Sequence, residues 1–242
     1  MLFNLNKGAF TGQSFQYSGE SEFGRAGRDY MIALKTGSGA TLRLLKTIAH
    51  ADLCLVAGGA PGNDGDHGSW GGNGGEVLNI TNVSLPVGDY TVTIGGSGQN
   101  TVLAAPDGRT WTSRSGYGSP GGDQTGSDGV DGVDGVSPFG DANAPIKAGW
   151  LFGPGGGHGF VRDNDYRERA SGNGGSVGAA SSDTTNGHGA TEAHRNGYDG
   201  LANTGQGGGG ASKIWTGSYY SAGNPGAGGS GILFIRRHKE VT

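Results

Sequence analysis

Gly126-Ser127-Asp128-Gly129-Val130-Asp131-Gly132-Val133-Asp134-Gly135 places glycine at every third position. That period fits neither the α-helix, at about 3.6, nor the strand, at about 2. It fits an extended helix with about three residues per turn and no internal hydrogen bonds. Collagen shares this geometry but needs long unbroken triplets and abundant proline. This chain has only eight prolines and few triplets in register, so collagen is set aside. What remains is a bundle of polyproline-II-type helices made of glycine, whose outward-pointing N–H and C=O groups satisfy one another between neighbours. Such packing requires that the facing positions carry no side chain.

The rest of the composition agrees. Glycine supplies 55 of 242 residues, several times the ordinary usage of about 7%. Gly155-Gly156-Gly157 and Gly207-Gly208-Gly209-Gly210 are further tracts. Ordering a glycine costs roughly 0.5–1 kcal/mol relative to alanine, and each lateral hydrogen bond returns only about 0.5–1.5 kcal/mol. The array must therefore be extensive and cooperative. Disorder is the competing explanation for a chain with 33% hydrophobic and 16% charged residues. Against it stand four tryptophans and the strand-like segments that bracket the glycine tracts.

Those segments predict a mainly β frame with little or no α-helix. Residues 30–35 and 40–45, joined by Thr36-Gly37-Ser38-Gly39, read as a hairpin. The run Ala51-Asp52-Leu53-Cys54-Leu55-Val56-Ala57 suits a strand buried on both faces. Tyr90, Val92 and Ile94 alternate with Thr91 and Thr93, as in a half-buried strand. Residues 101–104 and 109–112 flank the turn Pro106-Asp107-Gly108 as a second hairpin. Ile232-Leu233-Phe234-Ile235 forms a closing strand. Residues 1–28 show no period and are expected to form an arm or docking segment, with one glycine-rich domain over 29–242.

Little in the chain suggests catalysis. Gly174-Gly175-Ser176-Val177-Gly178 fits the nucleophile-elbow pattern but lacks the flanking strand and helix that an elbow needs. No Gly-Lys-Ser/Thr phosphate loop occurs. Asn63-Asp64-Gly65-Asp66 and the Val-Asp-Gly units lack a complete calcium-loop ligand set. The six histidines show no paired spacing. The reading is a non-enzyme with no cofactor and no metal site. Cys54, alone, reads as a buried small hydrophobe. A net charge of −4 argues against nucleic acid or an anionic membrane as partner. No apolar run approaches a membrane span and no signal-peptide core is visible, so synthesis in the cytoplasm is expected. The contact candidates are the aromatics that interrupt the glycine tracts: Trp150, Phe152, Tyr166, Trp215, Tyr219 and Tyr220. Rigid rings on loops stack on sugars or fill receptor pockets. Trp150-Leu151-Phe152 has the alternative of plugging one end of the bundle.

The order of motifs resembles a known family. Val56-Ala57-Gly58-Gly59-Ala60-Pro61-Gly62 leads in, followed by residues 85–95 and Asn100-Thr101. Residues 201–210, Leu-Ala-Asn-Thr-Gly-Gln and four glycines, then precede the exit Gly226-Ala227-Gly228-Gly229-Ser230-Gly231-Ile232-Leu233-Phe234-Ile235-Arg236. Across roughly residues 30–237 this resembles the glycine-rich domains of bacteriophage and prophage tail and fibre proteins, including tip adhesins. The resemblance implies a β-sandwich-like frame holding a polyglycine-II bundle. It also implies a virion protein of the tail, fibre or spike, acting in host-surface recognition. The alternative is a purely structural capsid decoration or tail plug. Expected partners are other virion proteins, a host surface glycan or protein, and further copies of the chain or a symmetric docking partner.

Overall fold

The computed structural model describes residues 15–26, 29–64, 69–122, 124–125, 128–129, 131–141, 146–164, 168–179 and 186–237. The described residues are mainly β. Their helical content is a single 3-10 turn at Pro138–Gly140.

The strands are β1 (Phe15–Tyr17), β2 (Ser21–Ala26), β3 (Asp29–Leu34), β4 (Ala40–Leu44), β5 (Ile48–Val56), β6 (Val77–Leu85), β7 (Gly88–Thr93), β8 (Thr101–Ala104) and β9 (Thr110–Ser113). Short pieces follow: β10 (Gln124–Thr125), β11 (Asp128–Gly129), β12 (Val161–Arg162), β13 (Glu168–Arg169), β14 (Lys213–Trp215) and β15 (Tyr220–Ala222). The last strand is β16 (Ile232–Arg237). One five-stranded sheet runs β1-β4-β7-β8-β9 and the other β2-β3-β16-β5-β6. A four-stranded sheet runs β13-β12-β14-β15, and β10-β11 form a ribbon.

The expected buried strand is β5, whose residues from Ala51 to Val56 are all buried. It lies beside the closing strand β16, with Phe234 opposite Cys54. Its continuous apolar run has a cause: both faces are covered. Leu53, Leu55, Leu233 and Ile235 share one core with Leu42, Leu44, Tyr90, Val92 and Leu103 of the other sheet. Cys54, Val56, Ile232 and Phe234 face a second cluster with Phe152 and Ile146. Burial pushes the Cys54 thiol up to about 12, so it stays protonated and unreactive. Tyr90 and Val92 alternate with exposed neighbours as read, and β8 pairs with β9 as the expected hairpin.

Two expectations fail. Residues 30–35 and 40–45 are not a hairpin: β3 pairs with β2 and β16, while β4 pairs with β1 and β7. The Gly37–Gly39 turn carries the chain from one sheet to the other. Nor do residues 15–26 form a separate arm. Phe15–Tyr17 and Ser21–Ala26 are edge strands of the two sheets, so removing 1–28 would strip a strand from each. Residues 1–14 lie outside the described part.

Glu22 on β2 is a clasp. Its carboxylate meets Lys35 and Lys147, each at 3.0 Å. Burial pushes the Glu22 carboxyl up, but hydrogen bonds and charge from Lys147 and Lys35 outweigh it and hold it below its ordinary 4.5. A depressed carboxyl contributes stability above its unfolded pKa, and that contribution fades as pH falls through the lowered value. Glu22→Gln should therefore cost up to about 1 kcal/mol at neutral pH for this half-exposed pair. In urea unfolding the gap between variant and wild type should narrow steadily as pH is lowered below 4.5. An undiminished gap there would remove Glu22 from the clasp.

The glycine segments pair largely through the main chain, and many of the bonds step by three residues. Gly59 N–H donates to Gly229 O and Gly62 N–H to Gly226 O. Gly72 and Gly75 donate to Gly208 and Gly205; Gly132 and Gly135 donate to Asn173 and Ser176. Gly207 and Gly210 donate to Pro154 and Gly157. Where the outer rows lack a carbonyl, a side chain replaces it at the same step. Asp131 and Asp134 accept from the N–H groups of Asn173 and Ser176. Asn196 and Asp199 accept from those of Asn224 and Ala227. A Cβ on Gly156, Gly207 or Gly209 would land on the carbonyl oxygen of Gly208, Gly72 or His188 respectively.

Candidate recognition surface

Gly207–Gly210 are buried and run directly into Ala211, Ser212 and β14. β14 lies parallel to β12 and antiparallel to β15, with Trp215 opposite Tyr220. The turn between them closes when Thr216 donates both its N–H and its hydroxyl to Tyr219 O, with Gly217 at φ 96°. Below the tip, Gly223 N–H donates to Ser212 O and the Ser212 hydroxyl to Arg195 O. The hairpin therefore grows from backbone held on several sides.

This construction presents aromatic surface. The rings of Trp215 and Tyr220 lie 5.0 Å apart at 60°, and Lys213 Nζ stands 5.1 Å from the Tyr220 ring. Tyr219 is 65% exposed and Tyr220 40%, with Trp215 half-buried beside them. Arg195 donates to the Ser221 hydroxyl at 3.2 Å. Three of the six sequence candidates thus come together on one hairpin.

Phe152 and Trp150 do not join them. Phe152 is fully buried, edge-on to Phe234 at 5.3 Å, so it is a core residue and not a surface contact. Its apolar neighbours Ile232 and Phe234 draw it under the sheet, a pull that a tract-by-tract reading does not reveal. Trp150 is half-buried on the same cluster, with Lys147 Nζ 4.0 Å above its ring. Lys147 holds φ 61° while clamped by Glu22. Tyr166 lies outside the described residues.

A further aromatic pair escaped the sequence reading. Tyr117 is 65% exposed with the Arg114 guanidinium 4.1 Å from its ring, and Trp70 is 43% exposed. Arg114 is held by Glu76 at 3.1 Å. The signal was the three-residue step itself: Arg114, Tyr117 and Pro120 all face outward. Val133 and Val136, also exposed, follow the same step on a neighbouring segment, where Val133 N–H donates to Pro120 O.

The Ser176 hydroxyl oxygen accepts from Gly178 N–H, and no helix follows it among the described residues. His50 meets the Asn82 side chain, and His194 lies on Tyr198 at 4.5 Å. Among the described residues no group of three His, Cys, Asp or Glu side chains converges on a metal position, and no helix is long and apolar enough to cross a membrane. No protein-family model matches the chain, and no curated protein matches it in sequence.

Proposed function

We propose that this chain is a non-enzymatic bacteriophage or prophage virion protein, a tail, fibre or spike component that contacts the host surface through the β14–β15 hairpin. The observation that carries the reading is the exposed Tyr219–Tyr220 pair beside Trp215, rooted in backbone that cannot shift. Aromatic rings of this kind supply much contact area at low entropic cost. A rigid root removes the ordering cost of binding. We also infer that the glycine segments are polyglycine-II helices in one bundle. The three-residue hydrogen-bond step and the carbonyl contacts that exclude a Cβ support this. An array that needs only bare backbone leaves its connecting loops free to vary, which suits recognition.

The test is binding of labelled protein to bacterial cells. Tyr219→Ala combined with Tyr220→Ala should lower affinity at least tenfold, about 1.4 kcal/mol, without changing the urea midpoint. Unaltered binding by the double variant would defeat the assignment of this hairpin.

A second reading, a purely structural virion part, is favoured by a different observation. Trp70, Tyr117, Val133 and Val136 sit exposed on adjacent bonded segments. Such a face suits burial against another virion protein or another copy. Absence of saturable cell binding by the wild type, with assembly into particles retained, would select it.

A further inference from the structure

Four Asn-Gly steps occur in the chain: Asn73-Gly74, Asn173-Gly174, Asn186-Gly187 and Asn196-Gly197. Asn-Gly is the sequence most open to spontaneous deamidation, because glycine leaves the following amide nitrogen unshielded. The glycine array treats the four unequally. Gly74 N–H donates to Ser119 O, Gly187 N–H to Asp199 O and Gly197 N–H to Asn224 O, each at 2.8 Å. Two of these asparagines are also held by their carboxamides. Asn73 accepts from Gly121 N–H and donates to Gly116 O, while Asn196 accepts from Asn224 N–H.

Asn173-Gly174 differs. Gly174 N–H has no acceptor among the described residues. Asn173 is exposed, and among the described residues its carboxamide is tethered only by a 3.4 Å contact from Nδ2 to Asp131 Oδ2. We propose that Asn173 is the site of a spontaneous modification, in which deamidation unlocks the paired segments 131–135 and 173–176. In the reaction, Gly174 N attacks Asn173 Cγ and forms the new C–N bond of a succinimide. The carboxamide nitrogen leaves as ammonia, carrying the proton given up by the Gly174 amide. Water then opens the ring at either carbonyl, leaving aspartate or isoaspartate.

The products do not fit. Residues 131–135 and 173–176 run in matched steps, with Gly132 N–H on Asn173 O at 2.8 Å and Gly135 N–H on Ser176 O at 3.2 Å. Asp131 and Asp134 accept from the N–H groups of Asn173 and Ser176 at 2.5 and 2.6 Å. Isoaspartate adds a methylene to the main chain and throws that step out of register. Either product also sets a second carboxylate against Asp131, and facing like charges are destabilising.

The test holds the native protein at mildly alkaline pH and maps all four steps by peptide mass and isoaspartate content over time. Conversion at 173 should run at least tenfold faster than at 73, 186 or 196, and amide exchange at Gly132 and Ser176 should rise with it. Equal rates at the four steps, or a slower one at 173, would overturn the site. The consequence is tested separately in fresh protein. Asn173→Asp should lower the unfolding temperature, and adding Asp131→Asn should restore most of it, because an asparagine oxygen still accepts from the 173 amide. An unchanged midpoint in the single variant, or no recovery in the double, would overturn the unlocking.

Discussion

Gly209→Val should leave almost no folded protein, while Gly96→Ala should leave the fold intact. At Gly209 an added Cβ meets the His188 carbonyl, and the same residue donates to Tyr198 O and accepts from Gly226 N–H. Overfilling an ordinary core costs about 1–3 kcal/mol because side chains move aside. Here the obstacle is main chain already committed to neighbours. Several lateral bonds at about 0.5–1.5 kcal/mol each are lost with the displacement. The total is on the order of 5 kcal/mol, the scale of a whole domain's stability. At Gly96 the nearest atom to an added Cβ is the Gln99 side-chain oxygen at 3.5 Å, and φ is not left-handed. That change should stay within about 0.5 kcal/mol. Denaturant midpoints and soluble yield measure both. A Gly209→Val protein with a wild-type midpoint would mean the glycine segments are not packed backbone against backbone.

Asp52→Ala should also be damaging, at about 1–3 kcal/mol, because it removes the nearest carboxylate from Arg236 and leaves the Asn82 N–H without its acceptor. Asp52 is buried on β5, with Oδ2 2.8 Å from Arg236 Nη2 on the neighbouring β16. Its Oδ1 accepts from Asn82 N–H at 2.9 Å and so holds Asn82 at φ 55°, where the β5–β6 register slips. Arg236 in turn lies 4.4 Å from the Phe139 ring and 3.6 Å from Asp141. One carboxylate thus ties three strands to the 3-10 turn. Replacing both partners, Asp52→Leu with Arg236→Met, should recover much of the loss, since an apolar pair leaves no unpaired charge. Urea unfolding of the two variants beside wild type decides it. A single variant that loses less than about 1 kcal/mol would place the tie elsewhere.

The strands with strong local signals were legible. The unbroken apolar run of β5, the alternation in β7, the Pro-Asp-Gly turn between β8 and β9 and the closing β16 all form as read. The pairing was less so. A Gly-Ser-Gly turn between two apolar runs looks the same whether the runs pair or part. Only the partner strand β2, polar and containing Gly24, decides that β3 and β4 part. The same limit applies to the candidate surface. Phe152 is core because its partners Cys54 and Phe234, distant along the chain, meet it only in the folded protein. The Val-Asp-Gly carboxylates Asp131 and Asp134 lack a complete calcium-loop set, and Asp199 lies outside those units. Each instead replaces a missing carbonyl at the border of the glycine segments.

The array also bears on behaviour in the cold. Heat capacity on unfolding rises with apolar area exposed and falls with polar area exposed. Segments joined by amides, with hardly a methyl group between them, release mostly polar surface when they come apart. Their share of the heat-capacity change is small, so the stability curve flattens relative to an oil-filled domain of equal length. A protein stabilised in this way varies little in stability between a cold pond and a warm gut.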